Sequence, residues 1–217
     1  MVGHYEIAHE YKRYYDKSGE RDIQTYTHVL FPDHTNPAYG VGFSDIIDTL
    51  GTFILDLGTG AGNLARDQRI LGWRSTTVGI DLFGKGSHGD NSIFGDSSQG
   101  IPSSPDGVIA NWLTLPFPNE SFDHILAYES FPRYYNLGDT YDVERYEDEL
   151  VRGLSDREYQ KRSFTEITRV ARRGCIWRGT LPRPMIKKRH SDPLFKDFSD
   201  HGWGFVIMKG IFIARKI

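Results

Sequence analysis

The sequence predicts an α/β protein built on a mostly parallel sheet, and three observations predict it. Phe53-Ile54-Leu55 is a short apolar run that leads through Asp56 into a glycine turn and a helix start. Further short apolar or β-branched runs follow, separated by turn-rich or helical stretches, as parallel strands require. The last two runs, Phe205 to Met208 and Ile211 to Ala214, are joined through Lys209-Gly210 and read as an antiparallel hairpin.

Length and charge bound the reading. A chain of 217 residues favours one domain with a substantial core. A net charge of −3 gives no global field for nucleic acid or membrane. The single cysteine, Cys175, excludes an intrachain disulfide framework and reads as a small core residue. The first residues, MVGHYEIAHEYKRYY, are too polar for a signal peptide, and no apolar run could span a bilayer. The expectation is a cytoplasmic protein with no membrane partner and no metal.

The first 50 residues are rich in tyrosine: Tyr5, Tyr11, Tyr14, Tyr15, Tyr26 and Tyr39. His4 to Lys17 reads as a helix with Tyr11, Tyr14 and Tyr15 on one side. Pro32 to Pro37 is a loop, and Ser44 to Leu50 a second short helix capped by Ser44 and ended by Gly51. These tyrosines either pack the segment on the domain or form a lid over a ligand.

The stretch from Phe53 to Asn63, FILDLGTGAGN, is the chemical centre. Gly58, Gly60 and Gly62 let a backbone approach a ligand closely, and the helix that begins near Asn63 offers unpaired N–H groups. A dinucleotide fingerprint needs G-x-G-x-x-G, whereas here Asn63 takes the third glycine's place. Asp56 precedes the first glycine by two residues, and a carboxylate favours a cationic ammonium over a pyrophosphate. The acid-x-G-x-G-x-G pattern resembles the first motif of the class I S-adenosylmethionine (SAM) methyltransferases.

Later stretches extend that resemblance in order. Ser75 to Ile80 is a second buried strand with Asp81 at its end, roughly 20 residues past the turn, where a ribose is held. Gly107 to Ala110 is a third strand, followed by Asn111-Trp112, Leu115-Pro116-Phe117, Ser121-Phe122-Asp123 and a fourth strand to Tyr128. Asn111 stands where the family commonly has Asp, and Trp112 where it has Ala. Between them Phe83 to Asp106 is loop by composition, where the family has a helix. Ser155 and Glu158 form a capping box for a helix to about Arg172, with Phe164, Ile167 and Val170 as its buried stripe. RVARRGCIWRG resembles the family's helix end, turn and fifth strand, the last read as Cys175-Ile176-Trp177.

The resemblance covers residues 51–217. It implies a doubly wound seven-stranded sheet with an antiparallel last strand, a methyltransferase core over 51–217 and an N-terminal helical lid over 1–50. It implies SAM as cofactor, with Asp56, Gly58, Thr59, Gly60, Gly62 and Ala127 about its methionine end. Asp81 would then hold the ribose, Leu82 and Trp112 would flank the adenine, and Asn111 would meet its amino group. Tyr128, Glu129, Tyr14 and Tyr15 are the candidates for the catalytic, acceptor side. A small-molecule acceptor is favoured. The alternatives are an RNA acceptor, through the basic residues between Arg169 and His190, or a SAM-binding subunit without turnover. Those basic residues otherwise read as a solvated face.

Overall fold

The structure is a computed structural model. It describes residues 49–58, 64–65, 68, 72–81, 107–110, 112–128, 130, 154–181, 193–208 and 210–217. The expectations for the N-terminal segment before residue 49 and for the 83–106 loop lie outside the described residues.

The sheet has seven strands: β1 (Phe53–Leu57), β2 (Thr76–Asp81), β3 (Gly107–Ile109), β4 (Phe122–Ala127), β5 (Ala171–Thr180), β6 (Trp203–Met208) and β7 (Ile211–Lys216). Their order is β3-β2-β1-β4-β5-β7-β6. Pairing is parallel from β3 through β5, and β7 runs antiparallel to both β5 and β6. This is the doubly wound sheet with an antiparallel last strand that the sequence predicts. The order reverses between β1 and β4, which makes the carboxyl ends of those strands a topological switch point.

Side chains alternate across the pleat. Leu55, Leu57, Ile125, Ala127, Trp177 and Phe212 enter one core cluster, together with Phe164 and Ile167 of helix α1 (Asp156–Val170). Ile54, Leu126 and Ile213 enter a second cluster, with Leu64 from the helical stretch after the glycine turn. The predicted stripe of α1 is real: Phe164, Ile167 and Val170 are fully buried, each such side chain stabilising by about 1.5–3 kcal/mol. Ser155 caps α1 with the expected capping box, its side chain accepting from the Glu158 N–H.

Trp177 is the hub of the larger cluster. Its ring lies 5.4 Å from Phe164, 5.3 Å from Phe198, 5.7 Å from Trp203 and 5.4 Å from Phe212. Such contacts add about 0.5–1.5 kcal/mol per pair beyond burial. Cys175 is buried beside this core, and burial pushes its thiol far above the ordinary range, so it is no nucleophile.

Several boundaries differ from the expectation. Asp56 does not close the first strand; it lies inside β1, and Leu57 ends the strand. Thr49 and Leu50 form a bend and turn rather than the end of a helix, with Gly51 at φ +79°. Helix α1 stops at Val170 because Ala171 already takes extended dihedrals, φ −73° and ψ 132°. The predicted turn at Gly174 is an irregularity inside β5. The pairing with β4 shifts between Phe122↔Ala171 and His124↔Ile176, and Gly174 takes φ +83° there. A second helix, α2 (Pro193–Asp200), was not expected. It packs Phe195 and Phe198 on the sheet, and Asp197 forms a bidentate pair with Arg157 of α1 at 2.5 and 2.7 Å.

Candidate functional site

Four strands run side by side at the switch point. The rows Gly79–Asp56–Leu126–Arg178 and Ile80–Leu57 set the carboxyl ends of β2, β1, β4 and β5 side by side. Asp56 is fully buried on the same face as Leu126 and Arg178. Burial depresses the Arg178 guanidinium to about 10.

The turn after β1 is built around Gly58. It takes φ +68°, a left-handed backbone that suits glycine, and its N–H donates to the Ile80 carbonyl at 2.8 Å. A Cβ at this position would collide with the Cβ of Ser130. Only glycine therefore serves here, and the backbone is bare where the strand gives way to the turn. Ser130 itself is fully buried just beyond β4, and its hydroxyl donates to the Leu57 carbonyl at 2.5 Å. The β1 and β4 ends are thereby bonded across the switch point.

The helical stretch that follows is docked by one residue. Gln68 accepts from the Thr77 N–H through its side chain at 2.5 Å and from the Trp73 N–H through its carbonyl at 3.0 Å. This ties Gln68 to the entry of β2.

Of the predicted cofactor residues, the structure brings together Asp56, Gly58 and Ala127, all buried at the β1 and β4 ends. Asp81 closes β2, paired with Ile109 of β3. Trp112 is buried, 3 % exposed, in one cluster with Ile80, the residue before Asp81. Of the acceptor-side residues, Tyr128 directly follows β4 and is half-buried against the second cluster. Tyr14, Tyr15, Thr59, Gly60, Gly62, Leu82, Asn111 and Glu129 lie outside the described residues. Among the described residues no group of three His, Cys, Asp or Glu could hold a metal ion, and no helix is long and apolar enough to cross a membrane.

Sequence reasoning passed over Ser130. Its only signal is a small polar residue two places after an apolar strand, and that means nothing until β4 is known to lie beside β1. Three members of the basic run that the sequence reads as a solvated face are held by the fold. Arg178 is buried in β5. Arg172 forms a fork on both Asp123 oxygens at 2.9 and 2.8 Å, while Asp123 accepts from the Phe53 N–H at 2.9 Å. Arg169 is bound into the loop before β4. Arg172 thus answers a carboxylate, and Arg169 answers the carbonyls of an irregular loop.

No family model matches the chain, and no curated protein matches it. Solved structures do. A SAM-dependent methyltransferase from Aquifex aeolicus superposes with a TM-score of 0.50 at 15% identity, over 90% of this chain and 95% of that one. The antibiotic-resistance methyltransferase Kmr superposes with a TM-score of 0.50 at 14% identity, over 81% of this chain and 91% of that one. At such identity the likeness is one of fold, and the fold is that of the class I SAM methyltransferases.

Proposed function

We propose that this chain is a SAM-dependent methyltransferase acting on an O, N or C atom of a small-molecule acceptor. The observation that carries the reading is the β1 turn at the switch point. A buried carboxylate, Asp56, stands two residues before a glycine whose Cβ would collide with Ser130. A bare backbone turn beside a carboxylate suits a ligand that carries an ammonium group, and the residues present fit SAM.

In this reading Asp56 and the backbone at Gly58 and Ala127 hold the methionine end, with Thr59, Gly60 and Gly62 completing the turn. Asp81 holds the ribose, and Leu82, Asn111 and Trp112 serve the adenine. SAM supplies an electrophilic methyl group on a sulfonium centre. The chain's own task is to align the acceptor and keep water out. Tyr128 and Glu129, which follow β4 in the sequence, orient the acceptor or take its proton. Residues 1–50, with Tyr14 and Tyr15, act as a lid over the core formed by 51–217.

Isothermal titration tests the reading. Wild-type protein is expected to bind SAM and S-adenosylhomocysteine and not NAD. Asp81→Ala is expected to lose about 1.5–3 kcal/mol of affinity, the scale of hydrogen bonds to a charged group. NAD binding without SAM binding would reject the assignment, and wild-type affinity in Asp81→Ala would remove that residue from the site.

A further inference from the structure

Between β3 and β4, the described residues 112–121 contain neither helix nor strand. A backbone of this kind must find its hydrogen bonds elsewhere. It finds many of them on two side chains of α1. Arg169 donates to the Leu115 carbonyl at 2.8 Å, to the Phe117 carbonyl at 2.7 Å and to Asn119 Oδ1 at 3.0 Å. Glu166 accepts from the Leu115 N–H at 3.0 Å, and its two carboxylate oxygens take the Arg169 fork at 3.0 and 2.8 Å.

The exit of the segment is bound to the same helix end. The Glu120 N–H donates to the Arg169 carbonyl at 2.9 Å and the Ser121 N–H to the Val170 carbonyl at 2.7 Å. Glu120 is held at φ +54°, a left-handed backbone that a non-glycine residue keeps only when its surroundings impose it. The pose of the segment is therefore imposed from α1 rather than made by its own backbone.

The segment begins at the site. Trp112 and Leu115 are both buried in one cluster, three residues apart in the sequence. Fixing both the N–H and the C=O of Leu115 fixes the chain three residues from Trp112. We propose that Arg169 and Glu166 are positioning residues for the adenine side of the cofactor site, holding the 112–121 segment so that Trp112 keeps its place. This rests on the SAM reading above. Neither residue touches the ligand. Their contribution is preorganisation, which spares the ligand the cost of ordering an irregular segment on binding.

A guanidinium fork can reach three carbonyl-type acceptors and a carboxylate in one plane, which neither lysine nor glutamine can do. Arg169→Gln is therefore the test, with Arg169→Lys as a second variant should the first fail to fold. Two ligands are titrated: S-adenosylhomocysteine, and its analogue with a carbonyl in place of the adenine 6-amino group. Wild-type protein should bind the first more tightly. In the variants S-adenosylhomocysteine affinity should fall about tenfold and the ratio between the two ligands should move towards one. Hydrogen exchange of the free protein should show the Leu115, Glu120 and Ser121 amides losing protection.

A clasp that serves stability alone would lower protection and the melting temperature but leave the ligand ratio unchanged, and that result would overturn the proposal. If wild-type protein binds neither ligand, the cofactor reading itself falls and takes this inference with it. If wild-type protein binds and both variants bind with unchanged affinity and ratio, only this inference falls.

Discussion

Ser130 donates its hydroxyl hydrogen to the Leu57 carbonyl across 73 residues of sequence, and so joins β4 to β1 where the sheet changes direction. The Cβ of the same serine stands where a side chain at Gly58 would be. One residue thus both ties the switch point and demands a glycine opposite it. Ser130→Ala leaves a buried carbonyl short of its donor while keeping the contact with Gly58. The expected cost is about 1–3 kcal/mol, the penalty for an unmet buried polar group. Urea unfolding would measure it, and a variant as stable as wild type would show that the bond contributes nothing.

The distribution of basic residues bears on the acceptor. Arg169, Arg172 and Arg178 are engaged in the fold, so they are not displayed as a phosphate-binding stripe. With a net charge of −3, no measurable RNA binding is expected at physiological salt. If RNA were bound, affinity would fall steeply with salt through counterion release, and replacing Lys187, Lys188 and Arg189 together would flatten that slope. Tight, salt-dependent binding in a filter assay would reverse the preference for a small-molecule acceptor.

His124 carries a pH dependence. Burial lowers its pKa from 6.5 to about 4, with Arg178 lowering it further and Asp123 opposing. The unfolded chain therefore takes up this proton at a higher pH than the folded one. Stability is full above pH 6.5, falls as pH drops below it and stops falling near pH 4. The slope from this one group is about 1.4 kcal/mol per pH unit inside that window. His124→Gln should lose that component, so urea midpoints at pH 7.5 and 5.5 should lie closer together than in wild type. An unchanged separation would assign the pH dependence to other groups.

The proposed lid role of residues 1–50 has its own readout. Large amphipathic rings gain from burial, and aromatic faces suit a sulfonium cation by about 0.5–2 kcal/mol. Hydrogen exchange with and without SAM should show protection rising strongly over residues 4–17 and little over 84–105. The opposite pattern would make the 83–106 loop the gate and end the lid assignment.

Much of the framework was legible in the sequence because its signals are local. The apolar runs that became β1, β2, β4, β6 and β7 are bounded by glycine or polar residues, and the α1 stripe repeats at the helical period. The capping box at Ser155 and Glu158 needs only residues three apart. Boundaries were less legible where tertiary pairing overrode the local pattern. Helix α1 ends at Val170 rather than near Arg172 because the following residues pair with β4 at once. Helix α2 left no clear period in the sequence because its apolar residues, Leu194, Phe195 and Phe198, span little more than one turn.

What the sequence determined by itself was the chemistry of the turn: a carboxylate, then alternating glycines, on the end of a strand. The residues that hold this candidate site in place were decided only by tertiary structure. Ser130 matters because β4 lies beside β1, and the two are far apart in sequence. Arg169 and Glu166 look like an ordinary surface pair at i and i+3. Only the path of the 112–121 segment turns that pair into its clasp. The physical reason is common to both cases. A hydrogen bond or a close approach exists between atoms in space, and periodicity along the chain reports only which face a residue occupies, never what stands opposite it.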